Sequence, residues 1–225
     1  MNSIAEFQGK RFERFSVDMH SNERLKVMSD LILNERKGKI LDVGCLDGGF
    51  AVEFKKIGFN VFGCDISPAI KKAEARGINC KKFDFEGKFP YPKNFFDGVI
   101  AAEVIEHVFD TDNFLGELHR ILKPKGFLVI STPNTAALPN RLLLLLGKKP
   151  FNLDYNKGGG HIRAYTMNLL EKQLKKMGFR IEKKTSDLLR LSDKLELIPF
   201  VYSIEIFLAK LFPSLSLHVI LKARK

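Results

Sequence analysis

Tryptophan is absent from this sequence of 225 residues, and cysteine occurs only three times, as Cys45, Cys64 and Cys80. The cysteines form no Cys-x-x-Cys pair and their number is odd, so the sequence does not suggest a disulfide framework. This pattern is typical of proteins in a reducing compartment. It also lacks the ligand spacing of a zinc site, and we predict no metal centre.

Long apolar runs are also missing. The longest, residues 142–146 and 197–204, are far shorter than the roughly 20 residues needed to cross a bilayer. The polar residues that follow Met1 lack the apolar core of a secretory signal peptide. We therefore expect a soluble cytoplasmic protein, and peripheral contact with a membrane surface is an alternative that concerns its C-terminal half.

Charge is in excess of one sign and unevenly distributed. The chain has 37 basic and 26 acidic residues, a net charge of +11. Residues 1–137 contain 20 basic and 19 acidic side chains (+1), and residues 138–225 contain the other 17 and 7 (+10). The basic half can attract phosphate groups, an acidic small molecule or an anionic membrane. A hydrophobic content of 45% supplies a buried core and excludes the disordered and fibrous classes.

Between residues 39 and 131, apolar runs rich in Val, Ile and Phe alternate with segments of helical period. This alternation indicates a parallel sheet with helices on both faces, because a parallel crossover requires a connection of helical length. The predicted strands are 39–43, 60–64, 78–83, 95–101 and 126–131, and the predicted helices are 50–57, 68–75 and 113–122. We predict an α/β fold of the Rossmann-like, doubly wound type.

The regular alternation ends after Ser131. Residues 136–146 are predicted to form a helix, followed by a turn-rich connection. Thr166 is a good N-cap for a further helix that ends at Gly178. The ranges 179–184 and 215–223 are predicted strands that complete a seven-stranded, mostly parallel sheet, and 187–211 is predicted to be mostly helical.

One domain over residues 1–225 accounts for this pattern, because the sequence contains no internal repeat or low-complexity linker. We divide it into an N-terminal helical segment (1–37) and a cofactor-binding core (38–134). A cap-like insertion (135–165) follows the fifth strand, and a C-terminal part (166–225) completes the sheet.

In an open α/β sheet the ligand lies outside the carboxyl ends of the strands, so the residues that follow each strand carry the functional prediction. After the first strand, Gly44 and Gly48 permit a sharp turn and close approach of the backbone to a ligand. Asp65 follows the second strand, where a carboxylate can accept both hydroxyls of a ribose. After the third strand, Asp84 can accept an exocyclic amine and Phe85 can border an adenine ring. The pattern predicts an adenosine-containing ligand.

The loop after the first strand argues against a diphosphate. A dinucleotide fingerprint requires glycine where this loop has Leu46, whose side chain would obstruct a pyrophosphate. Asp42 and Asp47 flank the loop with negative charge, which would repel a diphosphate and suit the cationic S-adenosylmethionine. We rank methyl transfer above hydride transfer, and an NAD-type or non-catalytic nucleotide-binding protein is the alternative.

Five segments in this order and spacing resemble the class I S-adenosylmethionine-dependent methyltransferases, in particular a subgroup that includes the ubiquinone-biosynthesis O-methyltransferases. The segments are 40–51, Asp65, Asp84 with Phe85, 96–108 and 118–126, and residues 160–166 are a further match. The dense part of the resemblance covers residues 38–134. It implies S-adenosylmethionine as the cofactor and S-adenosylhomocysteine as the product. Leu46 departs from the glycine that the family usually has at that position.

The resemblance implies which residues bind the methionine part of the cofactor. They follow the first and fourth strands, and they are Asp42, Gly44, Cys45, Gly48, Ala102 and Glu103. His107 would lie just below the pocket. On the residues alone, the glycines can also form an ordinary turn, Glu103 can favour the start of a helix, and His107 can be a hydrogen-bonded structural histidine.

The residues implied to bind the nucleoside follow the second and third strands. Asp65 would bind the ribose, and Ile66 would lie against the adenine face. Asp84 and Phe85 would meet the adenine edge. Asp65 can alternatively be a carboxylate at a helix N-terminus.

The acceptor is predicted to be a hydroxyl of a small molecule, a lipid-linked compound or a glycan-type substrate. His161 is the candidate catalytic base, because it follows three glycines that can close over the site and an imidazole titrates near neutral pH. His161 can instead bind the acceptor or fix the loop. The motif of adenine- and cytosine-modifying methyltransferases is absent after the fourth strand, so nucleic acid is the less favoured partner.

The basic C-terminal half leaves two alternatives open. It can serve an RNA or protein methyltransferase as the substrate-binding surface. The leucine run at 142–146, the cations Arg141, Lys148 and Lys149, and the apolar residues 195–212 can also form a cap that contacts an anionic membrane surface. A helix that buries its leucines against the sheet would produce the same pattern.

Overall fold

The computed structural model describes residues 22–151, 153, 160–189 and 199–225. The first helix in this part of the chain, α1 (Glu23–Leu33), begins after the N-cap Asn22, whose side chain accepts the Leu25 N–H at 3.2 Å. Its apolar positions Leu25, Met28 and Ile32 are buried. Most of the predicted N-terminal helical segment lies outside the described residues.

A seven-stranded sheet forms the centre of the molecule. Its strands are β1 (Lys39–Val43), β2 (Asn60–Asp65), β3 (Asn79–Lys82), β4 (Phe96–Ala102), β5 (Leu122–Pro133), β6 (Arg180–Thr185) and β7 (His218–Arg224). Their spatial order is β3-β2-β1-β4-β5-β7-β6. Strands β1 to β5 run parallel, and β7 pairs antiparallel with β5 on one side and β6 on the other. The predicted seven-stranded, mostly parallel, doubly wound α/β fold is confirmed.

Helices cover both faces of the sheet. They are α2 (Ala51–Lys56), α3 (Ile70–Ala75), α4 (Thr111–Ile121), α5 (Leu138–Leu145), α6 (Met167–Lys176) and α7 (Pro199–Leu211). Successive strand residues serve opposite faces: Leu41 packs with Phe114 and Leu118 of α4, whereas Ile40 packs with Phe54 of α2 and Met28 of α1. Burial on both faces explains why these strands read as continuous apolar runs. In the described part of the chain, no helix is long and apolar enough to cross a membrane.

Local capping explains where two helices begin and end. Asp110 precedes α4 and accepts the Asn113 N–H at 2.9 Å, and Thr166 precedes α6 and accepts the Leu169 N–H at 3.3 Å. Gly178, two residues after α6, adopts a φ of 88°. The predicted start and end of this helix are therefore confirmed.

The structure differs from the sequence prediction in two segments. Strand β5 begins at Leu122, directly after α4, rather than at residue 126, because Leu122 already pairs with Phe96 before a register shift leads to the Gly98–Phe127 pair. The predicted helical stretch 187–211 is wrong at its start, since residues 187–189 are not helical and the Leu188 carbonyl accepts the Leu217 N–H. Helix α7 covers residues 199–211, and 190–198 lie outside the described residues.

Candidate active site

The parallel strands bring the predicted cofactor residues to one edge of the sheet. Asp65 ends β2, Ala102 ends β4, and Gly44 directly follows β1. Asp84 comes two residues after β3, on the far side of β2. The carboxyl ends of neighbouring parallel strands lie side by side, so a ligand that runs along this edge passes all four.

The loop after β1 depends on glycine at two positions. Gly44 has a φ of 74° and Gly48 a φ of 75°, in the left-handed region that favours glycine. A Cβ atom at Gly48 would lie 2.7 Å from the Ile78 side chain and 2.8 Å from the Cβ of Ala73. Leu46 has a φ of 47° without being glycine, so the loop keeps the turn but holds Leu46 in a strained backbone conformation.

Asp65 is buried and ties the loop to the end of β2. Its Oδ2 accepts the Leu46 N–H at 2.8 Å and its Oδ1 accepts the Ser67 N–H at 2.7 Å. Burial raises the pKa of this carboxyl, and the backbone hydrogen bonds oppose that rise. The Ile66 N–H also interacts with this carboxylate. Since a carboxylate has about four lone-pair directions, about one remains for a hydroxyl group of a ligand, where the sequence predicted two ribose hydroxyls.

The charge of the loop differs from the sequence prediction. Burial, and then the nearby Asp65, raise the pKa of Asp42 to about 8, so Asp42 is mostly neutral at pH 7. Asp47 forms an ion pair with Arg76 at 3.1 Å. The expected repulsion of a diphosphate by two free carboxylates is therefore weaker than predicted, and the obstruction by Leu46 is the stronger part of that argument.

Cys45 contributes to the loop through its backbone. Its N–H donates to the Cys64 carbonyl at 3.2 Å, and its thiol packs with the Cys80 thiol over the Cα of Gly63 on β2. A Cβ at Gly63 would lie 2.7 Å from the Cys45 sulfur and 3.0 Å from the Cys80 sulfur. The hydrogen bond with Cys80, and then burial, raise the pKa of the Cys45 thiol. The thiol therefore belongs to the core beneath the loop.

The predicted nucleoside residues lie further along the same edge. Ile66 is half-buried, and Asp84 is exposed and accepts the Glu86 N–H at 3.1 Å. Phe85 is half-buried against Phe89, with ring centroids 6.2 Å apart and planes inclined by 21°. This packing holds the Phe85 ring in place at the carboxyl edge of the sheet.

Glu103, at the end of β4, adopts a φ of 57°, which is rare for a residue other than glycine. Its Oε1 accepts the Ser131 hydroxyl at 3.2 Å, and the same hydroxyl accepts a hydrogen bond from the Arg24 guanidinium at 3.1 Å. Arg24 lies 3.9 Å from Glu103. A strained residue held by a polar network is typical of functional sites.

The turn after β4 brings together Glu106, His107 and His161. Glu106 is 1% exposed and its Oε2 accepts the Thr132 hydroxyl at 3.0 Å, while its Oε1 has no hydrogen-bond partner among the described residues. The backbone N–H groups of Ile162 and Arg163 donate to the Glu106 carbonyl at 2.9 and 3.1 Å, which fixes the segment that carries His161. The ring centroids of His161 and His107 lie 4.9 Å apart.

This cluster can bind a positively charged group. Burial, and then the charge of Glu103, raise the pKa of Glu106 well above its usual value, so a cation that binds there has to displace the proton of this carboxyl. One ligand atom from each of Glu106, His107 and His161 lies within 4.8 Å of the others, a grouping that can hold a metal ion. The grouping is not recognisable in the sequence, because His161 is 54 residues away from His107 and the spacing follows no ligand motif. The prediction of no metal centre stays a prediction.

A second polar group at this edge was also missed by the sequence analysis. His218 begins β7, and its Nδ1–H donates to Asp187 Oδ2 at 2.6 Å. Its Nε2 faces Glu103 Oε2 at 3.9 Å. The sequence contains no signal for it, because the predicted strand 215–223 put His218 inside the strand, whereas β7 begins at His218 and runs antiparallel to β5.

A family model described as "Methyltransferase domain" matches residues 11–184 of the chain. The chain is 34% identical over 103 residues to a ubiquinone biosynthesis O-methyltransferase from Bradyrhizobium sp. (strain ORS 278), which covers 43% of this chain and 40% of that protein. It is 35% identical over 109 residues to a demethylmenaquinone methyltransferase from Thermus thermophilus, which covers 45% and 50%. The match thus spans half or less of the length of these relatives.

The fold is similar to that of solved structures. An S-adenosylmethionine-dependent methyltransferase from Mesorhizobium loti superposes with a TM-score of 0.67 at 18% identity, over 92% of this chain and all of that one. At this identity, the similarity supports the architecture of the sheet and its helices.

Proposed function

Because the chain belongs to the methyltransferase domain family and uses S-adenosylmethionine as its methyl donor, we propose that it methylates a hydroxyl group of a small molecule. S-adenosylhomocysteine is then the second product. One observation carries the proposal: the strand ends that hold Asp65 and the glycine loop lie on the same edge as the polar Glu106, His107 and His161 cluster. The similarity to an O-methyltransferase supports a hydroxyl acceptor.

The residues present fit this cofactor. When bound, S-adenosylmethionine supplies a methyl group activated by a positive sulfur. The protein therefore has to bind the cofactor, orient it toward the acceptor and exclude water. Gly44 and Gly48, at φ values of 74° and 75°, place no side chain of their own beside the methionine part. Asp65 is proposed to bind the ribose, with Ile66 and the Asp84–Phe85 pair along the adenine.

Other residues are proposed to serve the methionine part and the acceptor. Asp42 and Cys45 line the first strand end, while Ala102 and Glu103 border the methionine from the fourth. His107 supports the site from below through its hydrogen bond to the Gly160 carbonyl at 2.8 Å. His161 is proposed to contact the acceptor hydroxyl, as base or as binding group.

Calorimetry and a methyl-transfer assay test the proposed function. We expect S-adenosylmethionine and S-adenosylhomocysteine to bind and NAD not to bind. Release of S-adenosylhomocysteine is then measured with 3,4-dihydroxybenzoate as hydroxyl acceptor, with poly-U RNA and with a lysine-rich peptide. Binding of NAD alone would contradict the family function. Transfer to RNA or peptide only would contradict a small-molecule acceptor and support the RNA or protein methyltransferase that the basic half suggests.

The variant His161→Ala tests the role of His161. As a general base, its loss lowers kcat by about 10²–10⁴. Turnover within a few-fold of wild type would exclude the base role, and a raised KM with unchanged kcat would assign acceptor binding. His119→Ala is the matched control, because His119 lies on α4 and packs edge-on against Phe179, which precedes β6 at the opposite edge of the sheet.

We further propose that the acceptor is lipid-linked and met at an anionic membrane surface. The end of α5 exposes Leu144, Leu145 and Leu146 by 56%, 83% and 70%, and α7 exposes Phe200 and Phe207 by 74% and 65%. The Arg141 side chain donates to the Ser214 carbonyl at 3.5 Å, which links α5 to the turn after α7. Such large apolar side chains are unusual on a surface that meets only water.

The charges beside these side chains support an anionic partner. Arg141, Lys148, Lys149 and Lys210 are exposed on the same two segments. Exposed apolar residues flanked by cations suit a surface of acidic lipids. Co-sedimentation with phosphatidylglycerol vesicles should exceed that with phosphatidylcholine and fall between 0.05 and 0.5 M salt, by the screening of charge.

A double variant sharpens this experiment. Replacing Leu145 and Leu146 by Ser should reduce vesicle binding, whereas Leu169→Ser on α6, where Leu169 is 48% exposed, should not. Equal sedimentation with both lipids, insensitive to salt, would contradict membrane contact and leave a water-soluble acceptor.

A further inference from the structure

Asp187 and His218 form a hydrogen-bonded pair at the carboxyl edge of the sheet. Because β7 is antiparallel to β5, its first residue, His218, lies beside Pro133 at the end of β5. Asp187 is 5% exposed, and its Oδ2 accepts the Nδ1–H of His218 at 2.6 Å. The backbone N–H groups of Asp187 and Leu188 also stabilise the ionised carboxylate. The carboxylate is therefore fixed from two sides.

The hydrogen bond to Asp187 determines which ring nitrogen of His218 is available. With the proton of neutral imidazole on Nδ1, the lone pair is on Nε2. This nitrogen faces Glu103 Oε2 at 3.9 Å, beyond hydrogen-bond distance, and the His218 side chain is 26% exposed. Glu103 directly follows β4, where the methionine part is proposed to bind. An oriented imidazole thus points its lone pair toward the reacting end of the site.

We propose that His218, oriented by Asp187, is the base that takes the proton of the acceptor hydroxyl; this inference rests on the proposed function. The acceptor O–H bond breaks, the proton bonds to Nε2, and the oxygen electron pair forms the bond to the methyl carbon as the carbon–sulfur bond breaks toward sulfur. The imidazolium is held by the Asp187 carboxylate until it loses the proton to water.

The same function is less suited to His161. His161 and His107 share their cluster with Glu106, whose Oε1 has no hydrogen-bond partner among the described residues. A cation that binds there would occupy the ring nitrogen that a base requires. His218 lies outside this cluster, and its orientation is set by a carboxylate rather than by a neighbouring imidazole ring.

Charged groups from three other elements face His218: Glu103 after β4, Asp187 after β6 and Arg24 on α1. Burial alone would lower the pKa of His218, but the two carboxylates more than offset it, so the pKa lies above its usual value. The base form therefore accumulates on the alkaline side of pH 6.5. Removing the Asp187 charge should lower this pKa, and removing the Arg24 charge should raise it.

Nitrogen-15 NMR of histidine-labelled wild-type protein tests the assignment without any acceptor. We expect a His218 imidazole that titrates above pH 6.5 and is protonated on Nδ1 when neutral. Asp187→Asn should lower its midpoint, while Asp112→Asn, which removes a carboxylate on α4 that pairs with Lys176, should leave it unchanged. A neutral form protonated on Nε2 would overturn the proposal, because that nitrogen could then accept no proton.

The pH profile of methyl transfer to 3,4-dihydroxybenzoate gives the second readout. His218→Gln should lower kcat by about 10²–10⁴ with S-adenosylhomocysteine affinity retained, and Asp187→Asn should shift the alkaline-rising limb to lower pH. His119→Gln is the histidine control. Turnover of folded His218→Gln within threefold of wild type would exclude His218 as the base and leave the proposed function unaffected. Failure of the wild type to bind S-adenosylmethionine would contradict the proposed function itself.

Discussion

At the ends of β1 and β2 the binding edge is made by backbone conformation, whereas at the ends of β4 and β5 and the start of β7 it is made by side chains. Gly44 and Gly48 hold the first part in left-handed turns, and Asp65 accepts backbone N–H groups across it. The second part joins Arg24, Ser131 and His218 from distant segments. Backbone conformation therefore restricts substitution at the glycine positions of the first part. The second part depends on individual side chains, so single substitutions can change its chemistry.

The two regions also differ in charge. The first half of the sequence is nearly neutral, and Asp42 and Asp47 in its loop are largely neutralised by protonation or by Arg76. The +10 half contains α5, α6 and α7, whose cations are mostly exposed. The proposed cofactor edge therefore offers mainly shape and hydrogen bonds near pH 7, whereas the C-terminal half adds a long-range positive field.

The largest expected effect is on the glycine turn. Gly48→Val places a side chain against Ile78 and Ala73 at a φ of 75°, and we expect it to cost about 2–4 kcal/mol of unfolding free energy, with loss of S-adenosylmethionine binding. Urea unfolding and calorimetry measure both. Gly147→Val, at a φ of 66° and with open space around its Cβ among the described residues, should cost only about 1 kcal/mol. Equal losses in the two variants would show that packing beneath the loop is unimportant.

A smaller effect concerns the protonation of Asp42, whose pKa is raised to about 8. Ionised Asp42 attracts the positive sulfur of S-adenosylmethionine, so the preference for it over S-adenosylhomocysteine should rise by about three- to tenfold between pH 6.5 and 8.5. Calorimetry of both ligands at the two pH values measures this ratio. Asp42→Asn should make the ratio independent of pH, and a pH-independent ratio in wild type would place Asp42 away from the sulfur.

The same carboxyl links pH to stability. Its folded pKa lies above its unfolded value near 3.9, so the stabilising contribution of the protonated form is full below pH 4 and is lost as pH rises toward 8. Asp42→Asn should remove this part of the pH dependence of urea unfolding.

A modest gain is expected from Leu46→Gly. Glycine relieves the strain of a φ of 47°, and after its own entropic cost the net gain should be about 0.5–1 kcal/mol in urea unfolding. Lys125→Gly, at a φ of 64° on β5, should give a similar gain without any change in S-adenosylmethionine affinity. Destabilisation by Leu46→Gly would mean that the side-chain packing of Leu46 outweighs the strain.

The smallest effect is expected on the exposed cap. Leu145 is 83% exposed, so Leu145→Ala should change the unfolding free energy by less than about 0.5 kcal/mol. Leu115→Ala on α4, where the side chain is fully buried, should cost about 2–5 kcal/mol in the same measurement. A large loss in Leu145→Ala would instead indicate that α5 packs within the fold.

Sequence reasoning works where local physics limits the residue type. Buried parallel strands must be apolar along most of their length, so β1, β2 and β4 are predictable from their apolar runs. Left-handed turns select glycine, so Gly44 and Gly48 are recognisable without a structure.

The remaining features depend on contacts between distant residues. Asp187 and His218 are separated by 31 positions, and Arg24 and Ser131 by 107. No local preference predicts the positive φ of Glu103 or the register shift that lengthens β5. The residue assignments to the cofactor and His161 stay predictions, because they depend on where ligands sit along the edge.

Gly63 has a consequence for measuring the motions of this edge. By leaving space over β2, it lets the sulfur atoms of Cys45 and Cys80 approach each other, with Cys64 buried in the same strand. A thiol-alkylating reagent can reach Cys45 or Cys64 only when the loop and strand separate, and Cys80, half-buried, serves as the internal reference. Alkylation followed by mass spectrometry would thus measure the rate at which the proposed cofactor loop opens, and ligand binding should lower that rate.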